Sequence, residues 1–230
     1  MINRFTKYQI ATGLAILFHT IGLVGILFFK TSFFVQATAF NLLLMFALLL
    51  WTQQDKNIFF YVFMLAVFCI GMSVEIIGVN TGALFGDYKY GGVLGLTFRN
   101  VPLIIGINWF VIIFCSGISI HTLLMKAIGR VALDTGKKPQ ALKALSVIID
   151  GATLAVFFDW IMEPVAIKLG YWHWGVDGEV PMYNYLSWFT ISMILLAFFH
   201  FSPFGKQNKF AVHLLLIQLM FFLLLNSFLP

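Results

Sequence analysis

Long apolar runs separated by short polar segments constrain the folding of this sequence more than any other feature. An α-helix needs about 20 apolar residues to cross the hydrocarbon core of a membrane. Seven stretches reach that length: 8–29, 33–51, 58–80, 101–126, 143–167, 182–201 and 209–228. The sequence therefore predicts an all-α integral membrane protein, in which residues 1–230 form a single domain of about seven transmembrane helices.

Composition agrees with this interpretation and argues against a soluble or nucleic-acid-binding protein. Hydrophobic residues make up 61% of the chain and charged residues only 10%, whereas a soluble domain has about 25% charged residues. The net charge is +5, but the lysines and arginines are scattered singly in short loops, as is typical of membrane proteins. The first apolar run exceeds the roughly 7–15 residues of a signal-peptide core, so we expect it to be retained as a span.

An uneven distribution of basic residues predicts the orientation in the bilayer. Of the 14 lysine and arginine residues, ten lie at the N-terminus and in the loops after the second, fourth and sixth spans. The other four lie on the opposite side: Lys30, Lys89, Arg99 and Lys168. The positive-inside rule then places the N-terminus inside and the C-terminus outside. We expect a multi-pass protein of a bacterial cytoplasmic (inner) membrane, with two irregular loops, 81–100 and 168–181, on its outer side.

Four acidic residues interrupt the apolar runs: Glu75, Asp150, Asp159 and Glu163. An ionisable group at this depth costs on the order of 3 kcal/mol, so each is a candidate functional residue, with a structural hydrogen bond between helices as the alternative. Asp150 lies nine residues before Asp159, on the opposite helix face and about 13 Å deeper. We therefore expect Asp150 to make a separate contact outside any shared site.

Helical rise places five polar side chains in one layer of the membrane. At about 1.5 Å per residue, Glu75, Asp159 and Glu163 lie roughly 6–12 Å outward of the centres of their spans. Asn108 and Asn184 lie at similar depths in two further spans, so the layer predicts a common pocket. Asp159 and Glu163 are four residues apart and share a helix face. Their mutual repulsion should keep one of them protonated, as a general acid beside a carboxylate.

Pro164 and two outer loops frame this layer. The proline is expected to kink its helix and make room for a ligand or water. The loops carry glycines and aromatic residues at 85–90 and 171–174. They fit either an interfacial aromatic belt or a lid over an apolar pocket, in which ring faces could stabilise a cation. His173 belongs to the second loop, on the same side as the acids, and is a candidate site residue.

The remaining histidines and both cysteines are expected to be structural or interfacial. His19 lies near the centre of the first span. The others lie near the inner ends of helices: His121, His200 and His213. Cys69 and Cys115 lie within apolar runs, without a CxxC pair or a histidine partner. We therefore expect two small core side chains, with no disulfide and no metal site.

The polar layer favours acid chemistry on an uncharged, lipid-soluble substrate. The sequence contains no P-loop, dinucleotide fingerprint, HExxH pair or serine nucleophile elbow. No cluster of lysine or arginine lies at the layer to hold a diphosphate. A buried carboxylic acid could instead protonate an alkene, while a carboxylate and aromatic faces stabilise the resulting cation. Water or an internal double bond would then end the reaction, without a cofactor.

Five motifs follow one another between about residues 70 and 190. They are the string 75–90 (EIIGVNTGALFGDYKY), Val101-Pro102 followed by Asn108-Trp109, Asp159 with Glu163-Pro164, the string 170–174 (GYWHW), and Val180-Pro181 followed by Asn184-Tyr185-Leu186-Ser187-Trp188. In content and order these motifs resemble the carotenoid biosynthesis membrane protein family, which includes carotenoid 1,2-hydratases and bisanhydrobacterioruberin hydratase.

The resemblance implies addition of water across the terminal C1–C2 double bond of an acyclic ψ end group, as in lycopene or γ-carotene. It implies Asp159 or Glu163 as the proton donor to C2 and Glu75 as the residue that orients or activates the attacking water. The implied supporting or substrate-binding residues are Asn108, Trp109, Asn184, Trp188, Tyr88, Tyr90, Trp172, His173 and Trp174. No cofactor or metal is implied. The expected partners are the apolar carotenoid, membrane lipid and other enzymes of carotenoid synthesis.

Other functions fit parts of the pattern. Cyclisation of the same end group starts from the same protonation but excludes water. A prenyltransferase could use Asp159-x-x-x-Glu163 for a Mg²⁺–diphosphate, but it needs a second acidic motif and basic partners, which the sequence lacks. A retinal-binding pump needs a lysine in the last helix, and 210–228 contains none. A proton-coupled transporter is the non-enzyme alternative, since buried acids also serve as proton relays.

Overall fold

The computed structural model describes residues 5–29, 31–135, 140–175 and 178–229. The helices in these residues are α1 (Lys7–Phe28), α2 (Thr31–Gln36), α3 (Thr38–Thr52), α4 (Ile58–Thr81), α5 (Ile104–Thr135), α6 (Gln140–Lys168), α7 (Met182–Phe201) and α8 (Lys209–Phe228). The strands are β1 (Tyr88–Tyr90), β2 (Thr97–Phe98), β3 (Val101–Pro102) and β4 (Trp172–Trp174).

Six of the described helices are long and apolar enough to cross a membrane: α1, α4, α5, α6, α7 and α8. Their outward faces carry large apolar side chains, such as Ile16, Leu65 and Trp160, as a surface in contact with lipid requires. The chain is therefore an all-α, multi-span membrane protein, as the sequence predicts. The count of seven spans and the orientation of the termini stay predictions.

The predicted second span, 33–51, is not one continuous helix. A turn at Ala37 separates α2 from α3, and α3 has only 15 residues, fewer than the about 20 that a perpendicular span requires. Contacts on both sides hold the chain at this break. Phe34 packs so closely on Gly25 of α1 that a Cβ there would collide with its ring, and Thr38 hydrogen-bonds the Tyr171 hydroxyl at 2.7 Å.

The predicted fourth span, 101–126, begins later than expected, because its first residues form strand β3. Strands β2 and β3 pair antiparallel through a two-residue turn at Arg99 and Asn100, whose φ angles of 47° and 68° are left-handed. Such angles at both positions are typical of a tight hairpin turn. Asn80 of α4 holds this turn: it donates to the Arg99 carbonyl at 3.1 Å and accepts from Asn100 at 2.9 Å.

A second small sheet covers the end of the bundle where α4 finishes. Gly82 caps α4 with a left-handed φ of 69°, which turns the chain back towards β1. Strand β1 pairs antiparallel with β4. Gly91 approaches Gly170 so closely that a Cβ would collide with its carbonyl oxygen, and the Gly91 N–H donates to the Tyr171 carbonyl at 2.8 Å. We call this end of the bundle the sheet end.

The opposite half of the bundle has an aromatic core. Helix α5 is central and packs against α3, α4, α6, α7 and α8. Around it, ring centroids lie 5.3–6.3 Å apart, mostly edge to face, as aromatic pairs prefer. We call these residues the phenylalanine cluster: Phe60, Phe63, Phe110, Phe114, Phe199 and Phe204.

Two residues of the apolar runs face in different directions. Cys115 of α5 is buried, whereas Cys69 of α4 is exposed on the outer surface of the bundle. The prediction of a core position is therefore wrong for Cys69, because an apolar run in a membrane protein does not distinguish a lipid-facing side chain from a buried one.

His19 is buried and its Nδ1 lies 2.8 Å from the Ala15 carbonyl, in agreement with a structural role.

Helix α6 carries acids on two separate faces. Asp150 is exposed and accepts a hydrogen bond from Ser146 of the same helix, so it lies apart from the other acids, as expected. The helix continues through Pro164 and ends at Lys168. Its last turns carry Asp159 and Glu163 towards the interior of the sheet end.

Candidate active site

Three buried carboxyl groups face one small cavity at the sheet end. Glu75 of α4 is 4% exposed, and Asp159 and Glu163 of α6 are 1% and 3% exposed. The cavity has a volume of about 30 Å³, which is enough for a water molecule. We call it the carboxyl cavity. Its lining residues are Glu75, Phe85, Tyr88, Tyr90, Ile105, Asn108, Trp109, Asp159, Met162, Glu163, Trp172, Trp174, Asn184 and Trp188. All five polar residues of the predicted layer are among them.

Glu75 accepts three hydrogen bonds. Tyr88 and Tyr90 of β1 donate their hydroxyls to Oε2 at 2.5 and 2.6 Å. Trp109 of α5 donates its indole N–H to Oε1 at 2.9 Å. Hydrogen bonds to the charged form of a carboxyl group stabilise it. These three donors therefore offset part of the cost of burying a carboxylate in the membrane.

Glu163 and Asp159 have fewer donors. Trp172 and Trp174 of β4 both donate their indole N–H groups to Glu163 Oε2, at 2.9 and 3.0 Å. Asn184 of α7 donates to Asp159 Oδ2 at 3.2 Å. Within the described part of the chain, Asp159 Oδ1 and Glu163 Oε1 accept no hydrogen bond. Asp159 is thus the acid that protein donors satisfy least.

The alternation of side chains along a β-strand explains how four aromatic residues reach the acids. Tyr88 and Tyr90 lie two apart in β1, and their partners across the sheet are Trp174 and Trp172. All four therefore point to the same face of the sheet, over the carboxyl groups. We call them the aromatic cap. His173 lies between the two tryptophans and is exposed on the other face, so the structure does not bring it to the cavity.

The aromatic cap resembles the predicted lid more than an interfacial belt, because its polar atoms point inward. Burial and the neighbouring Glu75 carboxylate raise the pKa of Tyr88 and Tyr90 above the usual value of a phenol. Both hydroxyls therefore stay protonated and remain donors. The rings of Trp174 and Tyr88 are also in contact, with centroids 5.1 Å apart and planes tilted by 36°.

A pair of stacked indoles forms another wall of the carboxyl cavity. The rings of Trp109 and Trp188 are nearly parallel, at an angle of 7°, and their centroids are 3.8 Å apart. Gly71 of α4 makes this position available, because a Cβ there would collide with Trp109. The glycine lets α5 approach α4 closely enough for Trp109 to reach Glu75.

Three lining residues were not predicted: Phe85, Ile105 and Met162. Met162 lies three residues after Asp159, and Ile105 lies three residues before Asn108. Residues three apart on a helix are neighbours, so helical spacing offered a signal for both. Phe85 belongs to the glycine-rich loop after α4, where only the folded chain reveals which rings turn inward.

A larger apolar cavity adjoins the carboxyl cavity. Its volume is about 290 Å³, and most of its lining is apolar, including Phe18, Phe34, Phe158, Phe221 and Phe222. It lies between α1, the break between α2 and α3, and helices α5, α6 and α8. The two cavities share four wall residues: Ile105, Asn108, Met162 and Trp172. A long apolar molecule in the larger cavity would therefore lie next to the wall that these four residues share with the carboxyl cavity.

The larger cavity also contains polar side chains that the structure leaves unsatisfied. His19, Asn41 and Gln218 line it. The side-chain carbonyl oxygens of Asn41 and Gln218 are buried and accept no hydrogen bond from the described residues. Since buried polar groups are usually paired, these two oxygens are positioned to accept a hydrogen bond from a ligand or water.

The described residues that line the carboxyl cavity include acids but no bases. Among its described lining residues there are three acids and no lysine, arginine or histidine. The same part of the chain contains no group of three or more His, Cys, Asp or Glu side chains that could hold a metal ion. Neighbouring acids in a medium of low dielectric constant share protons. The site can therefore supply a carboxylic acid, a carboxylate and aromatic ring faces around a space that fits water.

The chain is similar to a curated protein over part of its length. Over 132 residues, the chain is 25% identical to the bisanhydrobacterioruberin hydratase of Haloarcula japonica; the matched region is 56% of this chain and 41% of that protein. The chain thus spans less than half the length of that curated relative. No solved structure matches the chain.

The family match is more extensive than the match to that relative. Residues 30–229 match the carotenoid biosynthesis protein family. This range contains α2 to α8, both small sheets and every residue that lines the carboxyl cavity. The chain therefore belongs to the carotenoid biosynthesis protein family.

Proposed function

We propose that the protein is a carotenoid hydratase, which adds water across the terminal C1–C2 double bond of an acyclic ψ end group of the lycopene or γ-carotene type. The observation that carries the proposal is the carboxyl cavity, in which three buried acids adjoin an apolar cavity and no described lining residue is basic. Membership of the carotenoid biosynthesis family and similarity to a hydratase support the same reaction class.

The apolar cavity is the proposed binding site for the carotenoid end. Its phenylalanine rings suit a polyene, and a molecule that lies among them loses no hydrogen bonds to water. The shared wall at Asn108 and Met162 would let the terminal double bond enter the carboxyl cavity. The rest of the long substrate would remain in the membrane, so the protein needs to enclose only the reacting end.

Protonation is the first proposed step. Asp159 is the proposed donor, because it accepts only one hydrogen bond and its Oδ1 is free to carry the proton. Glu163 accepts two indole N–H bonds and is better suited to remain a carboxylate beside it. Transfer of the proton to C2 leaves a tertiary cation at C1. The faces of Trp109, Trp188 and the aromatic cap would stabilise that cation.

Capture by water completes the proposed reaction. One water in the carboxyl cavity attacks C1, and its excess proton passes to Glu75. The C1–O bond and the C2–H bond have then formed, one double bond has been lost, and no electrons have been transferred. A tertiary 1-hydroxy end is the product. Return of the proton from Glu75 to Asp159 through cavity water restores the starting state, so no redox cofactor is required.

The direct test is expression in a bacterial host that accumulates lycopene, followed by chromatography and mass spectrometry of the pigments. We expect products heavier than lycopene by the mass of one water for each hydrated end. Asp159→Asn, Glu163→Gln and Glu75→Gln should reduce or abolish these products, whereas Asp150→Asn should not. Unchanged lycopene from well-expressed protein, or full activity in all three site variants, would contradict the proposal.

Cyclisation of the end group is the second candidate, and the small volume of the carboxyl cavity favours it. A cavity of about 30 Å³ admits little water, and attack by an internal double bond on the same cation needs none. The same pigment analysis separates the two reactions, because a cyclised product has the mass of its substrate.

A further inference from the structure

A second polar cavity lies at the opposite end of the bundle from the acids. Its volume is about 370 Å³. Along α6, Lys143 of this cavity and Asp159 of the carboxyl cavity are sixteen residues apart, which corresponds to about 24 Å. The same separation holds along α7 between Asn184 and His200. The second cavity is therefore a distinct feature of the molecule.

Four basic side chains converge on this cavity from four different parts of the chain. They are His121 of α5, Lys143 of α6, His200 of α7 and Lys206 of the segment between α7 and α8. The positive-inside rule accounts for basic residues near a membrane surface. It does not account for their convergence around one open cavity, which requires the packing of α5, α6 and α7.

The cavity has little negative charge to balance these groups. Asp55 is its one acid among the described lining residues. That carboxylate accepts the Gly205 N–H at 2.7 Å and an amide N–H of Asn57 at 3.4 Å. It makes no ion pair with a described basic side chain of the cavity. The local balance of charge is therefore positive.

Two of the basic side chains are partly buried in the protein. Nδ1 of His200 is buried and has no hydrogen-bond partner among the described residues. Lys206 is half-buried and donates to the Ser202 carbonyl at 2.6 Å. Burial, together with the nearby charge of Lys143, lowers the pKa of Lys206 to about 8. An anion in the cavity would relieve the repulsion between Lys143 and Lys206 and would accept hydrogen bonds from both ammonium groups.

We propose that this cavity binds a phosphate group through His121, Lys143, His200 and Lys206. A phosphate has several acceptor oxygens in a tetrahedral arrangement, which suits donors that approach from several sides. The group could belong to the headgroup of an anionic phospholipid or be free phosphate, and the chemistry of recognition is the same. The proposal does not depend on the function of the carboxyl cavity.

Titration of the purified full-length protein in an uncharged detergent tests the proposal. The probes are inorganic phosphate and a short-chain phosphatidylglycerol, and binding is measured by calorimetry and by the shift in thermal unfolding. The test variant is Lys143→Gln/Lys206→Gln. The matched control is Lys126→Gln, which removes an exposed charge at the same end of the bundle, outside the cavity. We expect saturable binding that is at least about tenfold weaker in the double variant, or about 1.4 kcal/mol, and unchanged in the control.

The two probes distinguish the sources of the phosphate group. Saturable binding of both indicates that the phosphate alone is recognised, and binding of the lipid alone identifies a headgroup site; both results support the proposal. Absence of saturable binding to the wild-type protein would overturn it. So would equal weakening in Lys126→Gln, because attraction would then be diffuse. If the double variant does not fold, as judged by size-exclusion chromatography, His121→Gln and Lys143→Gln serve singly, each with a several-fold loss expected.

Discussion

At the sheet end of the bundle, each of the three buried acids accepts at least one hydrogen bond from a tyrosine, tryptophan or asparagine side chain. At the opposite end, basic side chains surround a cavity with one described acid, next to a core of phenylalanine rings. The same helices, α4 to α7, build both ends. The difference therefore comes from the side chains that each helix carries at its two ends, together with the segments that cover them.

The comparison shows two ways of keeping polar groups in an apolar protein. At the sheet end, the donors come from β1, β4, α5 and α7, so many parts of the chain fix the position of each carboxyl group. Such positioning before the substrate arrives is what catalysis by charged groups requires. At the opposite end, stability comes from ring packing, and the polar groups remain available for a ligand.

Among variants that test this comparison, Asp159→Asn is expected to have the largest effect, a lower rate of pigment hydration. The variant keeps the shape of the side chain but cannot donate a proton as a carboxylic acid. Loss of a general acid lowers the rate by roughly 10²–10⁴-fold, measured as hydrated pigment formed per amount of membrane protein. Asp150→Asn is the matched control and should keep the wild-type rate. A wild-type rate in Asp159→Asn would remove this residue from the proposed mechanism.

The second-largest effect is expected on the free energy of unfolding, from a change in the phenylalanine cluster. Phe114 is 0% exposed and belongs to the phenylalanine cluster, so Phe114→Ala leaves a cavity in a packed core. We expect a loss of about 3–5 kcal/mol in the free energy of unfolding, measured by chemical or thermal denaturation in detergent. Phe157→Ala is the control, because Phe157 is 45% exposed on the outer surface and should cost much less. Equal losses would mean that the cluster is not the stabilising core.

A smaller effect is expected from Trp174→Phe, which keeps an aromatic ring in the cap but removes one N–H donor to Glu163. A hydrogen bond to a charged group is worth about 1.5–3 kcal/mol. We therefore expect a rate of product formation that is lower by roughly 10- to 150-fold, with the protein still folded. Trp160→Phe, on the outer surface of the same region, is the control. An unchanged rate in Trp174→Phe would show that the cap covers the site without influencing its chemistry.

The smallest effect is expected from His173→Ala. Its side chain lies on the face of β4 that points away from the carboxyl groups, so the change in stability should stay within about 0.5 kcal/mol. The rate of pigment conversion should also be unchanged. A loss as large as that of Trp174→Phe would mean that the register between β1 and β4 is different.

Much of the site could be predicted because it depends on local geometry. Glu75, Asn108, Asp159, Glu163 and Asn184 were placed in one layer from helical rise alone, and all of them line one cavity. The spacing of Asp159 and Glu163 also placed both on one helix face. These inferences needed only the dimensions of a helix and of the membrane.

Other features could not be predicted because they depend on contacts between distant segments. The break at Ala37 is held by the contact of Phe34 with α1 and of Thr38 with Tyr171, and nothing in the second apolar run marks the break. The outward position of Cys69 depends on which face of α4 meets α5. His173 was grouped with its tryptophan neighbours, and only strand pairing turned it to the other face.

The sequence by itself determined that this chain is an all-α membrane protein with a layer of acids near one end, because hydrophobic length and helical rise are properties of each segment alone. The tertiary structure decided which donors meet those acids. Tyr88 and Tyr90 reach Glu75, and Trp172 and Trp174 reach Glu163, because β1 and β4 pair across the sheet end. That pairing joins segments far apart in the chain, which the packing of the helices between them brings together.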